Sequence, residues 1–268
     1  MAKDVSKRRG RKVNPAVRLA AQAAFTPEGK PQPAMGRALL RAVEVQRPVV
    51  LANLRRLRRK HPTATPGELG AKLERDFIAT VTGGGAAIGA TAILPGLGTV
   101  AALSISAAAT VVFLETTALY AQSVAELHGV RLADPERSSA LVMAVMLGEE
   151  GTSMVGGLTG HALGGGRTPM TAWGTAVGKS LPLSAVKGLG ARLQKAFLKR
   201  LVLREGSVML GRAVPFGIGA VIGGVGNRAM GKAVVRSTKL AFGPAPEAWP
   251  AGLLAELEGR PAPVEHRP

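Results

Sequence analysis

From Phe77 to Leu114 the chain carries 38 consecutive residues without an ionisable side chain, divided near the middle by Leu94-Pro95-Gly96. Either side of that break lie 18 residues, Phe77–Leu94 and Leu97–Leu114. As α-helix each is roughly 27 Å long, against a hydrocarbon thickness of about 30 Å. The pattern predicts a Gly-rich apolar helical hairpin, either inserted in a membrane or buried on all sides by other helices. Its 14 Ile, Leu, Val and Phe residues favour insertion by only roughly 6 kcal/mol over two crossings. The pattern alone leaves both environments open.

Around the hairpin the apolar spacing is helical and the boundaries are marked by short-range signals. Val49, Val50, Leu54 and Leu57 form one stripe, while Arg55, Arg56, Arg58, Arg59 and Lys60 take the other faces. Such a basic amphipathic helix either lies on a membrane surface or packs with a solvated basic face. Arg47-Pro48 opens it and His61-Pro62 closes it. Thr65-Pro66-Gly67-Glu68 is a capping box with Pro at the first helical position. His128-Gly129 stops the helix that follows the hairpin, and Asp134-Pro135-Glu136 starts another that runs to about Leu147. Leu189, Leu193, Phe197 and Leu201 repeat at four-residue spacing among Arg192, Lys195, Lys199 and Arg200, a second basic amphipathic helix. These basic residues of the two helices are the candidate membrane-surface set. The predicted architecture is an all-α helical bundle spanning 35–242 with the hairpin at 77–114, preceded by a disordered basic arm at 1–34 and followed by a Pro-rich tail at 243–268.

Composition changes this picture in two ways. Aromatic residues are 3% of the chain while glycine numbers 35, so packing must rely on close backbone approach rather than large side chains. Gly85 with Gly89 and Gly219 with Gly223 each form a G-x-x-x-G, and they are the candidate helix-packing glycines, expected to bring the last apolar stretch against the hairpin. Charge is the second change. The net +18 is uneven: residues 1–60 hold 16 Lys and Arg against 3 acids, whereas 115–151 hold 2 against 6. A basic chain with an apolar hairpin points to anionic lipid; without one it would point to nucleic acid. The lack of cysteine excludes a disulfide framework or thiolate metal site and fits a reducing cytoplasm.

Candidate chemistry is sparse. Gly174-Thr175-Ala176-Val177-Gly178-Lys179-Ser180 has three residues between its glycines where a phosphate-binding loop needs four. His61, His128, His161 and His266 are scattered without ligand spacing, and no Gly-x-Ser-x-Gly elbow occurs. Glu115, Glu149 and Glu150 border apolar helices and are candidates for pairing with basic segments. The residues therefore point to no catalytic site, cofactor or metal.

Three stretches resemble the EcsC family of bacterial proteins: Gly83-Gly84-Gly85 through Leu94-Pro95-Gly96; Leu119-Tyr120 followed by His128-Gly129-Val130; and Val214-Pro215-Phe216-Gly217-Ile218-Gly219-Ala220 through Gly226-Asn227. The likeness covers about residues 65–242. It implies a mainly helical, membrane-associated bacterial protein and transfers no catalytic residue. The expected function is thus non-enzymatic, on the cytoplasmic side of the cell membrane, as an accessory to membrane transport or envelope processes. Anionic lipid is the expected partner, with membrane proteins or a second copy beside it. A soluble nucleic-acid-binding protein and a glycine-zipper membrane oligomer are the alternatives.

Overall fold

The computed structural model describes residues 40–91, 99–132, 134–162, 181–211 and 218–260, with Arg37, Gly174, Val177 and Gly178. Within these ranges the side chains at 86–91, 99–109, 158–162, 198, 200–211 and 218–223 are not described. The predicted arm at 1–34 and the predicted hairpin break at Leu94-Pro95-Gly96 lie outside the described residues.

The protein is all-α, with eight helices and no strand among the described residues. They are α1 (Arg47–Lys60), α2 (Pro66–Thr91), α3 (Thr99–Leu127), α4 (Pro135–Leu147), α5 (Glu149–Ala162), α6 (Leu183–Gly211), α7 (Ile218–Phe242) and α8 (Leu253–Leu257). Their boundaries follow local hydrogen bonding. At α2 the Glu68 amide donates to Thr65 Oγ1 at 3.2 Å and the Thr65 amide to Glu68 Oε2 at 2.8 Å, closing the capping box. At α4 the Asp134 carboxylate accepts the amides of Glu136 and Arg137 at 2.9 and 3.1 Å. Helix α3 stops where Gly129 adopts φ 70°, in the left-handed region that favours glycine.

One buried stripe organises the bundle. Leu69, Leu73, Phe77 and Val81 recur every fourth residue along α2 and are all buried. Phe77 stacks on Tyr120 of α3, ring centroids 4.6 Å apart. Helix α7 runs antiparallel along α2: Asn227 Nδ2 donates to the Val81 carbonyl at 3.2 Å, and further along Lys239 Nζ meets Glu74 Oε2 at 2.8 Å. Between these points Gly231 admits the close approach. A Cβ there would stand 2.8 Å from Val81 Cγ2 and 3.0 Å from Ile78 Cδ1.

A second layer is built from α4, α5 and α6, with α4 buried almost throughout from Ser138 to Leu147. Gly151 makes the tight corner between α4 and α5, where any Cβ would overlap the Ala144 carbonyl. Helix α6 contributes Val186, Leu189, Leu193 and Phe197 to the core. The glycine-rich stretch at 213–227, a poor helix by propensity, is helical from Ile218 onward as part of α7. Packing on α2 offsets its propensity cost of about 1 kcal/mol per glycine.

The base of the hairpin belongs to this core, since Phe77, Val81, Gly85, Phe113 and Leu114 are buried. That shortens the two 18-residue arms expected from the sequence. Among the described residues no helix is long and apolar enough to cross a membrane. The predicted Pro-rich tail is packed as far as its described residues go: Leu253 and Leu257 are buried and Trp249 lies against the core.

Candidate functional site

The two basic amphipathic helices use their charges differently. In α1 the buried stripe is Val50, Leu51, Leu54 and Leu57. Arg55 and Arg58 follow Leu51 and Leu54 by one turn, which sets them at the edge of the buried face. Both are half-buried. Arg55 donates through Nε and Nη2 to the carbonyl of Glu256 at 3.2 and 2.9 Å. Arg58 donates to the carbonyl of Ala64 at 2.9 Å, and its guanidinium lies 5.1 Å over the Trp249 ring. Arg56, Arg59 and Lys60 are exposed, and Arg56 donates to Asn53 of its own helix at 3.1 Å. In α6, Arg192, Lys195 and Lys199 are exposed, while the side chain of Arg200 lies outside the described residues.

The charged centre of the molecule is one that the apolar pattern concealed. Glu126, on the last turn of α3, has a side chain only 3% exposed. Arg47 grips it with two parallel bonds, Nε to Oε1 at 2.7 Å and Nη2 to Oε2 at 3.0 Å. The Arg47 guanidinium is held charged chiefly by this hydrogen-bonded pair, against the opposing effect of its own burial. From its other side Arg47 Nη2 reaches Glu256 Oε2 at 2.9 Å, and Arg131 Nη2 reaches Glu256 Oε1 at 3.0 Å. With the two bonds from Arg55 to its main-chain carbonyl, three guanidiniums converge on Glu256, two of them on its carboxylate. A forked guanidinium matches a carboxylate or phosphate in this way, whereas an ammonium is a point charge.

Beside the cluster lies a cavity of about 580 Å³, lined by Glu126, His128 and Arg131 on one wall and by Pro246, Pro250 and Leu253 on the other. His128 Nδ1 stands 2.8 Å from the Val124 carbonyl, which can only accept, so Nδ1 carries the hydrogen. Its Nε2 is buried without a hydrogen-bond partner among the described residues, and the ring lies 5.2 Å from Phe242. Thr117 Oγ1 and Gln122 Nε2, on the same buried helix, also lack partners there. No group of three or more His, Asp or Glu able to hold a metal occurs among the described residues.

The phosphate-loop lookalike has a packing role in its described parts. Arg137 donates to the carbonyls of Val177 and Leu181 at 2.6 and 2.7 Å, pinning the segment to α4. Gly174 lies against the Phe242 ring, and Gly178 leaves no room for a Cβ beside Val130. Glu115, Glu149 and Glu150 are exposed. Of the candidate packing glycines, Gly85 is buried in α2; Gly89 in α2 and Gly219 and Gly223 in α7 lie within helices, but their surroundings are outside the described residues. The side chain of His161 is outside them as well.

Comparison with protein-family models, with curated proteins and with solved structures gave no match. The likeness to the EcsC family therefore rests on the three stretches of sequence alone.

Proposed function

We propose that this chain is a non-enzymatic, membrane-peripheral bacterial protein that seats one end of its bundle in the cytoplasmic face of an anionic bilayer. The observation that carries the reading is the segregation of charge along the bundle axis. Helix α2 runs antiparallel to both α3 and α7, through Phe77 with Tyr120 and Val81 with Asn227. The end of α2 and the starts of α3 and α7 therefore point the same way. The sequence there is free of ionisable residues at 77–114 and again at 213–227. At the other end lie the Glu74–Lys239 pair and the Arg47–Glu126–Glu256 cluster.

The depth of insertion follows from how much hairpin remains once its base is packed. Beyond Gly85 and before Thr110 the described helices hold residues 86–91 of α2 and 99–109 of α3, roughly 9 and 16 Å of helix, short of the ~30 Å needed to cross. Shallow seating in one leaflet, helped by basic side chains worth about 1 kcal/mol each near an anionic surface, suits these lengths. The membrane association that the EcsC resemblance implies accords with this, as does an accessory role in transport or envelope processes.

Vesicle flotation tests it. The full chain is expected to float with phosphatidylglycerol-containing vesicles, and Leu97→Asp, which places a charge in the uncharged segment, to abolish flotation while leaving the circular dichroism unchanged. A wild-type protein that stays unbound at low salt yet retards duplex DNA overturns the reading in favour of nucleic-acid binding.

A further inference from the structure

The convergence on Glu256 is unusual in its balance. Arg47, Arg55 and Arg131 come from two places in the fold, the first two from the start and the middle of α1 and the third from the link after α3, and all three contact one acidic residue. Counting Glu126, the cluster holds three guanidiniums and two carboxylates: Arg47 and Arg131 bind the Glu256 carboxylate, Arg55 binds the Glu256 main-chain carbonyl, and Glu256 sits on a five-residue helix near the end of the described chain. That helix is bracketed by Gly252 at φ 77° and Gly259 at φ 76°, and the segment leading to it begins at Gly243 with φ 74°. Its apolar anchorage comes from Leu253, Leu257 and the half-buried Trp249. A short segment between permissive glycines, attached by few apolar side chains, is drawn from the low-stability end of a fold.

We infer that Arg47 and Arg131, with Arg55 beside them, form a binding site for a phosphate oxyanion, closed in this structure by the Glu256 carboxylate on Arg47 and Arg131, acting as an internal stand-in for the ligand, and by the Glu256 carbonyl on Arg55. Guanidinium groups presented from separate elements recognise phosphate oxygens as they recognise those of a carboxylate. The adjoining cavity of about 580 Å³, with Arg131 on its wall, has the volume of a small-ligand site. When phosphate enters, Glu256 is displaced, and 244–257 swings away from α1 as a unit. Trp249 leaves Arg58, and Arg55, released from the Glu256 carbonyl, turns to the anion. The inference rests on the membrane reading only for the source of the phosphate, a lipid headgroup or the free ion.

The experiment uses the full chain with Trp173→Phe, so that Trp249 is the sole tryptophan, and follows its emission. Titrants are inorganic phosphate, phosphatidylglycerol vesicles and neutral phosphatidylcholine vesicles, each against sodium chloride of matched ionic strength. A red shift with phosphatidylglycerol vesicles but not with free phosphate assigns a headgroup; a shift with free phosphate at millimolar concentration assigns the free ion, even if vesicles fail to bind. Glu256→Gln removes the competing charge and is expected to lower the half-saturating concentration roughly tenfold, a change of one decade in affinity. Arg131→Ala, at a side chain 51% exposed and so tolerant of removal, is expected to raise it by a similar factor. The inference is overturned if sodium chloride reproduces the shift, if no titrant moves Trp249, or if Glu256→Gln binds no more tightly than the parent. Loss of vesicle flotation with a retained phosphate response overturns the membrane reading instead.

Discussion

Helices α1 and α6 have the same sequence grammar, an apolar residue every three or four positions with arginine and lysine around it, yet the protein spends their charges in opposite ways. In α1, Arg47, Arg55 and Arg58 turn back onto acceptors supplied by α3, the loop at Ala64 and the C-terminal segment. In α6, Arg192, Lys195 and Lys199 are exposed while Leu189, Leu193 and Phe197 fill the core. The difference lies in what each helix packs against. Helix α1 lies on the end of α3, where a buried carboxylate waits, and is crossed by α8; α6 lies on α4 and α5. A basic amphipathic pattern thus reports a helix with one buried face. It does not report whether the charges beside that face are free.

The sharpest way to break this contrast is to remove Arg47. Its loss strands the Glu126 carboxylate in the core, and leaving a buried charge without its partner costs about 3–5 kcal/mol. Arg47→Met is expected to lower stability by that amount in urea unfolding. The double variant Arg47→Met with Glu126→Leu is expected to recover most of it, because an apolar pair of similar volume can replace a buried ion pair at little cost. A single variant within about 1 kcal/mol of the parent would show that the α1 charges are as free as those of α6.

What could be read in the sequence divides along the same line. The starts and stops at Thr65–Glu68, Asp134 and His128-Gly129 were legible because each is closed by hydrogen bonds between residues two to five apart. The all-α class and most of the α1 and α6 stripes were legible for the same reason, since helical spacing is a local property; Val49 of the expected α1 stripe is exposed, with Leu51 buried in its place, and the side chain of Leu201 in α6 lies outside the described residues. Glu126 was not, because its meaning depends on Arg47, 79 residues away in sequence. One signal existed: within α3 it is one of only two charged residues, the other being Glu115, and so the more conspicuous in an apolar helix. Glu256 was hidden by the prolines around it, whose composition reads as a tail whether or not the segment docks. The close helix contact at Gly231 was missed because the residue one turn earlier is Asn227 and not glycine, so no G-x-x-x-G marks it. There the contact is secured by the Asn227 side chain on the Val81 carbonyl.

A smaller effect sharpens the comparison within α1 itself. Arg58 combines a hydrogen bond to Ala64 with its position over Trp249; Arg59, next in sequence, is exposed. Arg58→Ala is expected to cost about 1–2 kcal/mol and to alter Trp249 emission, whereas Arg59→Ala should stay within about 0.5 kcal/mol. Equal effects at the two positions would mean that the edge of the buried face confers nothing.

The smallest expected change in stability is also the most telling, because it falls on the exposed lysines of α6, a helix whose Lys187 pairs with Glu136 at 3.5 Å. Lys195 and Lys199 lie one turn apart on the same face of α6 and are exposed. Replacing either with alanine removes no contact to the core, and alanine is the better helix former, so unfolding should shift by no more than about 0.5 kcal/mol. Binding is another matter if this face meets an anionic surface. Each lysine within a Debye length of such a surface contributes about 1 kcal/mol, so each substitution should weaken phosphatidylglycerol-vesicle binding roughly fivefold, and the loss should shrink as salt is raised. The corresponding change at Arg58 should do the reverse, lowering stability while leaving vesicle binding unchanged or stronger as the C-terminal segment loosens. Lysine variants that unfold early but bind vesicles as the parent does would reverse the assignment, making α6 the helix whose charges hold the fold.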